Sequence, residues 1–355
     1  MRNRPITPSQ AAVSRRTLCR GALAAAAIAG GLPGGVRAQS APAKVRFTLD
    51  WRFDGPGAIA LLPLARGWFQ AEGVDVQLDP GNGSAAAVQR IAAGTHDIGF
   101  ADTSSLIEFA GNNPNAPAMK AVYMLMERTP AAAFALKSSG IRAPSDLVGK
   151  RIGAPVFDAG RKAFPMFAKA NRFDAAKVQW TNADPALRET LLARGDLDAI
   201  TGFYYTSLLN LQGRGVKEED LVVFKYADHG VNLYGNAVIV SSRFAAEQPR
   251  AVAGFLRALD RGIRATIADP KAAVRYVKDK DPIVDLALEE RRLRYFLDDF
   301  VATPTAKAQG LGRIDEARLR SNAAQIVDAS QLKQFPDVAR LFDASFLPAV
   351  ASARA

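Results

Sequence analysis

The chain has 355 residues, with 46 Lys and Arg against 35 Asp and Glu, a formal net charge of +11 and a single cysteine. With 48% hydrophobic and 23% charged residues it is not a disordered chain, and its length exceeds what one small core organises, so two lobes of ordinary size are expected. Basic and acidic residues are interleaved rather than gathered on one stretch, which argues against nucleic acid as a partner.

The amino terminus is read apart from the fold. Ser14-Arg15-Arg16-Thr17-Leu18 precedes an apolar run over residues 21–32, and Val36-Arg37-Ala38 offers small residues for cleavage. This order is that of a secretory signal spanning residues 1–38, and the paired arginines resemble a twin-arginine export signal. The run is too short to stay in a bilayer as a spanning helix. Cys19 precedes the run, so no lipid anchor is expected. Six of the eleven net positive charges lie in this segment, and its removal leaves no cysteine. A mature chain of that kind has no thiolate metal ligand, no cysteine nucleophile and no disulfide.

Taken in chain order, residues 44–49 alternate as a strand and run into the loop Asp50-Trp51-Arg52-Phe53-Asp54-Gly55-Pro56-Gly57. An apolar helix follows to about residue 69, with Pro63 expected to kink it. Residues 74–78 alternate again. A glycine loop, Gly81 to Ser84, opens a helix whose apolar face is Val88, Ile91 and Ala92 and whose stop is Gly94, with Ser84 as the expected N-cap. Strands at 98–101 and 119–126 flank a helix beginning at Ser104. The alternation argues for parallel strands with helices on the faces of the sheet.

The pattern restarts after Pro130. Strands are expected at 132–137, 150–154, 178–180, 198–202, 221–226 and 236–241, with helices at 162–171 and 186–194. Beyond Pro249 the chain reads as helical, over 250–267, 271–278, 285–299 and 315–329.

The glycine loop raises the question of a nucleotide. A P-loop needs lysine after its last glycine, and here Gly81-Asn82-Gly83-Ser84 is followed by alanines; the dinucleotide fingerprint is matched only with Ala86 in place of its third glycine. What remains is a helix start with free backbone N–H groups, and Asp102-Thr103-Ser104 forms a second one after the next strand. Ligands gather beyond the carboxyl ends of strands in such sheets, but two ordinary N-caps would look the same. Trp51 and Tyr204 stand in segments after strands and are candidate pocket walls; Trp68 and Trp180 read as core. His96 and His229 have no partner at metal-ligand spacing, no nucleophile elbow is present, and Asp298-Asp299 reads as a solvated helix face.

Several stretches in a fixed order carry a family resemblance: "LDW", "LARGWFQAEGVDVQL", "GNGSAAAVQRIAAGTHDIGFADTSSL", "APSDLVGKRIGAP", "LLARGDLDAITGFYY" and "NAVIVSSRFAAEQPRAVAGFLRAL". Together they resemble the solute-binding proteins of ABC importers for sulfonates, nitrate, taurine and thiamine-pyrimidine precursors. The resemblance implies the type II periplasmic binding protein fold: two α/β lobes, each a mixed sheet flanked by helices, with a helical carboxyl-terminal tail. Lobe 1 would comprise 39–130 and 237–355, lobe 2 would comprise 131–236, and the crossings would lie near Pro130 and Asn236.

Carried over residue by residue, the resemblance implies a ligand site built from Asp50 and Trp51, from Gly83 and Ser84, and from Asp102 and Thr103. Lobe 2 would add Phe157, Asp158 and Arg161 of the loop Gly153 to Arg161, then Tyr204, Tyr205 and Asn236. Phe157 and Asp158 depart from the small residues usual in that loop. Asp158 would disfavour a simple oxyanion unless Arg161 offset it. The implied function is capture, by hinge closure, of a small planar or anionic organic solute for an inner-membrane ABC permease in the periplasm. The Leu-Asp-Trp start points to a pyrimidine-like or aromatic solute; the alternative is a sulfonate, taurine or nitrate. The chain would act as a monomer, without cofactor, metal or catalytic residue. A pyrimidine synthase of the same fold would use a cysteine-rich iron motif and an active-site histidine, and the lack of cysteine after residue 38 points away from it.

Overall fold

The computed structural model describes residues 41–349. The expected export signal at 1–38 lies outside the described residues.

Ten strands form two sheets. β1 (Ala43–Thr48), β2 (Val74–Asp79), β3 (Ile98–Asp102) and β4 (Met119–Met124) precede β5 (Ala131–Leu136), β6 (Arg151–Ala154), β7 (Gln179–Asn182), β8 (Ala199–Phe203) and β9 (Leu221–Lys225), and β10 (Asn236–Ser241) closes the series. The first sheet has the order β2-β1-β3-β10-β4 and the second β7-β6-β8-β5-β9. In the first, β1 is parallel to β2 and β3, while β10 runs antiparallel to β3 and β4. In the second, β6 is parallel to β7 and β8, while β5 is antiparallel to β8 and β9. Each sheet is therefore mixed. Local strand–helix alternation suggests parallel strands only, because it cannot see a strand arriving from the other sheet. β10 enters the first sheet after the whole of the second has been built.

Aromatic packing organises each core. Phe47 of β1 meets Phe100 edge-on at 4.9 Å and Phe255 at 5.0 Å, and Phe69 stacks on Phe255. Phe255 belongs to the helix Pro249–Ala268, whose apolar face of Val252, Leu256, Leu259 and Ile263 is wholly buried. In the second core Phe167 stacks on Tyr226 at 4.4 Å. Pro63 lies inside the helix Ala58–Ala65; the chain breaks there and resumes at Trp68–Ala71 through Gly67, whose φ is +68°.

The main departure from the sequence reading follows β8. Tyr204–Gln212 is a helix where the sequence reading placed no element, and Leu208, Leu209 and Leu211 bury its apolar side. The carboxyl-terminal region is helical, and its helices touch helices that follow strands of both sheets. Arg292 of the helix Leu286–Phe296 donates to Asn210, and Tyr295 meets Tyr204 edge-on at 6.1 Å. The helix Glu316–Ser330 lies against both Thr103–Asn112 and Ala159–Ala170. No described helix is long and apolar enough to cross a membrane.

Candidate functional site

The glycine loop is explained by its neighbours. Gly83 N donates to Asp50 O at 2.7 Å and Gly81 N to Trp51 O at 2.8 Å, so these N–H groups are spent on the loop after β1. A Cβ at Gly81 would lie 2.2 Å from Leu49 O. Gly83 has φ +143°, and a Cβ there would lie 2.3 Å from Phe157 O, a loop of the second sheet. Ala85 N donates to that same carbonyl at 3.3 Å. The glycines thus let three backbones meet. Gly83, not Ser84, is the N-cap of the helix Ser84–Ala92, because the chain turns sharply at the glycine; Ser84 takes the first helical position.

This meeting closes one side of a cavity between the sheets. Asp50, Trp51, Gly83, Ser84, Asp158, Tyr205 and Asn236 line it, together with Asp54, Phe100, Arg188, Phe203 and Phe296. The other five expected residues lie off its wall. Asp102 caps the helix Thr103–Asn112, accepting from Ser104 N at 2.9 Å and Ser104 Oγ at 2.5 Å. Thr103 Oγ1 donates to Tyr234 O. Phe157 contributes its carbonyl to the glycine loop. Tyr204 packs on Phe134 with Lys225 Nζ 3.8 Å from its ring centre. Adjacent helical residues face different ways, so Tyr205 reaches the cavity and Tyr204 does not.

Asp158 has a counter-cation, and it is Arg188 rather than Arg161. Asp158 caps the helix Ala159–Ala170, so its Oδ1 takes the backbone N of Arg161 at 2.9 Å. The Arg161 guanidinium turns away to Ala154 O and the face of Trp180. Arg188, 1% exposed, donates to Asp158 Oδ2 at 3.1 Å, to Glu189 Oε1 from Nε at 3.0 Å and from Nη2 at 2.6 Å, and to Ser207 Oγ at 3.0 Å. A Cβ at Gly202 would sit 2.9 Å from the guanidinium carbon, so glycine makes room for it. The same carbon lies 5.3 Å from the Trp51 ring centre.

The cavity wall carries three carboxyls, Asp50, Asp54 and Asp158, beside the guanidinium groups of Arg52 and Arg188. Burial pushes the Asp50 carboxyl up to about 6, against the hydrogen bond from Asn236 Nδ2 to its Oδ2 at 2.7 Å. Burial pushes Asp54 up to about 7; Arg292 opposes this, while Glu289 and Asp50 add to it. Burial raises Asp158 as well, with Arg188 opposing. Asp102, behind the wall, is pushed by burial up to about 6. Three buried polar atoms on lining residues have no hydrogen-bond partner: Trp51 Nε1, Ser84 Oγ and Asn236 Oδ1.

Neither histidine lines the cavity. His96 Nε2 lies 3.1 Å from Asp79 Oδ2, and the His229 ring packs edge-on against Phe167 and Phe224. Among the described residues no cluster of three or more His, Cys, Asp or Glu is arranged to hold a metal ion.

A family model described as NMT1/THI5 like matches residues 58–273. The chain belongs to the NMT1/THI5-like family. The chain is similar to the riboflavin-binding protein RibY of Chloroflexus aurantiacus, 28% identical over 291 residues and covering 80% of each chain. The 4-amino-5-hydroxymethyl-2-methylpyrimidine phosphate synthase of Aspergillus parasiticus is 26% identical over 285 residues, 76% of this chain and 82% of that one. Among solved structures, the alkanesulfonate-binding protein SsuA of Xanthomonas axonopodis pv. citri, bound to MOPS, superposes with a TM-score of 0.67 at 14% identity, over 85% of this chain and 98% of that one. The fold of this NMT1/THI5-like chain is that of periplasmic binding proteins.

Two groups that shape the site were not singled out from the sequence. Asp54 sits four residues beyond Asp50 in the Gly/Pro-rich loop, where an acid reads as an ordinary turn residue. Arg188 opens the helix Arg188–Arg194, where a charge reads as solvated. Its burial depends on Gly202 and Ser207, which no local pattern joins to it.

Proposed function

We propose that this protein is the solute-binding component of an ABC importer, exported to the periplasm, and that it captures a small planar organic solute, pyrimidine-like or aromatic. The observation that carries the reading is the cavity wall: aromatic rings of Trp51, Phe100, Phe203, Tyr205 and Phe296 beside the carboxyls of Asp50, Asp54 and Asp158. Rings offer flat apolar faces, and carboxyls accept N–H donors. Four hydrogen bonds already occupy Arg188, so the cavity's buried cation is committed to Asp158, Glu189 and Ser207. That leaves Arg52, exposed at the rim, as the other cation on the wall, so an oxyanion would meet it beside three carboxyls.

Capture rather than chemistry is supported by the side chains present. The cavity holds neither histidine and no cysteine, whereas the synthase reading calls for both. Binding energy then favours the closed arrangement, in which the Phe157 carbonyl meets the glycine loop. The leader at residues 1–38, with its paired arginines, supports export by the twin-arginine route, and the family fold supports delivery by a monomer to an inner-membrane permease. The test is a thermal-shift screen of refolded, ligand-free protein against planar heterocycles and sulfonates. Saturable stabilisation by a heterocycle recovered chemically unchanged is the expected result. Stabilisation by sulfonates alone, or conversion of the compound, overturns the reading.

A further inference from the structure

We propose that Arg292 is a positioning residue for solute capture. From the helix Leu286–Phe296 it fastens the helix after β8 to the loop after β1, and so holds the cavity closed without lining it. This rests on capture by closure and holds whichever solute is bound.

The helix Leu286–Phe296 turns two faces to two sides of the cavity. Glu289, Leu293 and Phe296 recur at helical spacing on one of them. A Cβ at Gly55 would lie 2.3 Å from Glu289 O and 3.0 Å from Leu293 N, so glycine lets the loop after β1 rest directly on this face. Gly55 N donates to Glu289 Oε2 at 2.6 Å. Leu293 and Phe296 are fully buried in the core that contains Phe47 of β1. Phe296 also lines the cavity, where it meets Tyr205 edge-on at 5.6 Å.

The other face grips the helix Tyr204–Gln212, and much of the grip is polar. Arg292 Nη1 donates to Thr206 O at 3.0 Å and Nη2 to Asn210 Oδ1 at 2.9 Å, while Arg291 Nη2 donates to Gln212 Oε1 at 2.9 Å. The Arg292 guanidinium also donates to Glu289, from Nε to Oε2 at 2.9 Å and from Nη2 to Oε1 at 3.1 Å. Arg292 is 2% exposed and Glu289 6%, so these bonds are shielded from water. One planar fork thus ties Gly55, through Glu289, to Thr206 and Asn210, and an ammonium group has no such fork. Asp54, Pro56 and Thr206 line the cavity beside the tied atoms, whereas Glu289 and Arg292 do not. The joined segments follow strands of different sheets.

A reporter of closure lies elsewhere on the cavity. Ala85 is in the first turn of the helix Ser84–Ala92, so its N–H has no partner within the helix, and it donates to Phe157 O at 3.3 Å. Gly83 N donates to Asp50 O, which belongs to the same side as itself. Opening would free the Ala85 amide and leave the Gly83 amide bonded.

The test is amide exchange followed by NMR on the refolded, solute-free full chain at constant pH, for the unaltered protein, Arg292→Lys and Asn210→Ala. Arg292→Lys keeps a positive charge beside Glu289. Asn210→Ala removes one acceptor at a partly exposed position and carries the test even if Arg292→Lys does not fold. Each variant should speed exchange at Ala85 about two- to tenfold relative to Gly83, the loss expected for a hydrogen bond that favours the closed arrangement. Equal acceleration at both amides would make Arg292 a support of the fold alone, and unchanged exchange at Ala85 would make it irrelevant to closure. Either result overturns the inference and leaves solute capture standing. An Ala85 amide unprotected in the unaltered protein would remove the closed arrangement itself, and the inference with it.

Discussion

Asn236 Nδ2 donates to Asp50 Oδ2 at 2.7 Å, joining residues 186 positions apart in the chain. Asn236 is the first residue of β10, the strand that returns to the first sheet, so one hydrogen bond ties the return crossing to the loop after β1. Asn236→Ala leaves the half-buried Asp50 carboxylate without this donor. The variant should lose about 1–3 kcal/mol of stability by denaturant unfolding, with an unchanged slope. An unchanged midpoint would show that the bond contributes nothing.

Arg188 and Arg161 are distinguished by a paired substitution. Arg188→Met strands Asp158 and Glu189 in the interior and should cost about 3–5 kcal/mol. Arg161→Met loses a carbonyl contact and the Trp180 face at a partly exposed position, and should cost about 1 kcal/mol or less. Reversal of the two effects in chemical denaturation would return the role of counter-cation to Arg161.

Gly83→Ala tests the meeting of the two sheets. The added Cβ would lie 2.3 Å from Phe157 O, whereas at Gly94, also at positive φ, a Cβ meets nothing within 4 Å. Both variants carry backbone strain, and only Gly83→Ala forces the loops apart. Small-angle scattering should give a larger radius of gyration for Gly83→Ala than for Gly94→Ala, together with weaker solute-induced stabilisation. Identical behaviour of the two would mean that the Phe157 loop yields without cost.

The raised carboxyls fix the sign of the pH dependence. Asp50, Asp54 and Asp102 titrate at about 6, 7 and 6 in the folded chain, against an ordinary value of 3.8. Between that value and about 7 the folded state holds more protons than the unfolded one, so stability falls as pH rises through this window. The ligand-free protein should melt higher at pH 5.5 than at pH 8, and Asp54→Asn should raise the midpoint at pH 8 and flatten the difference. A midpoint that rises towards pH 8 contradicts the assignment.

The sequence made the strands and most helices legible because each carries its own period and stop: Gly94, Gly195 and the alternation of residues 74–78 sit where the structure ends or forms elements. The glycine loop was visible as a loop, but its reason was not. Gly83 is required by Phe157, 74 residues later, and that proximity exists only in the folded chain. The same holds for Arg188, whose partners are Asp158 and Ser207 as well as its neighbour Glu189. Tyr204 and Tyr205 read alike as an aromatic run until the helix Tyr204–Gln212 turns them to different sides. Periodicity reports which residues are buried, and burial partners belong to topology.

The most direct measurement of the central claim is binding to refolded, ligand-free protein, followed by Trp51 fluorescence with Trp51→Phe as the control. A planar heterocycle should quench the unaltered protein saturably, raise its melting midpoint and be recovered intact, while Trp51→Phe should lose the quench. Stabilisation by sulfonates with heterocycles inert, or recovery of an altered compound, would contradict the account.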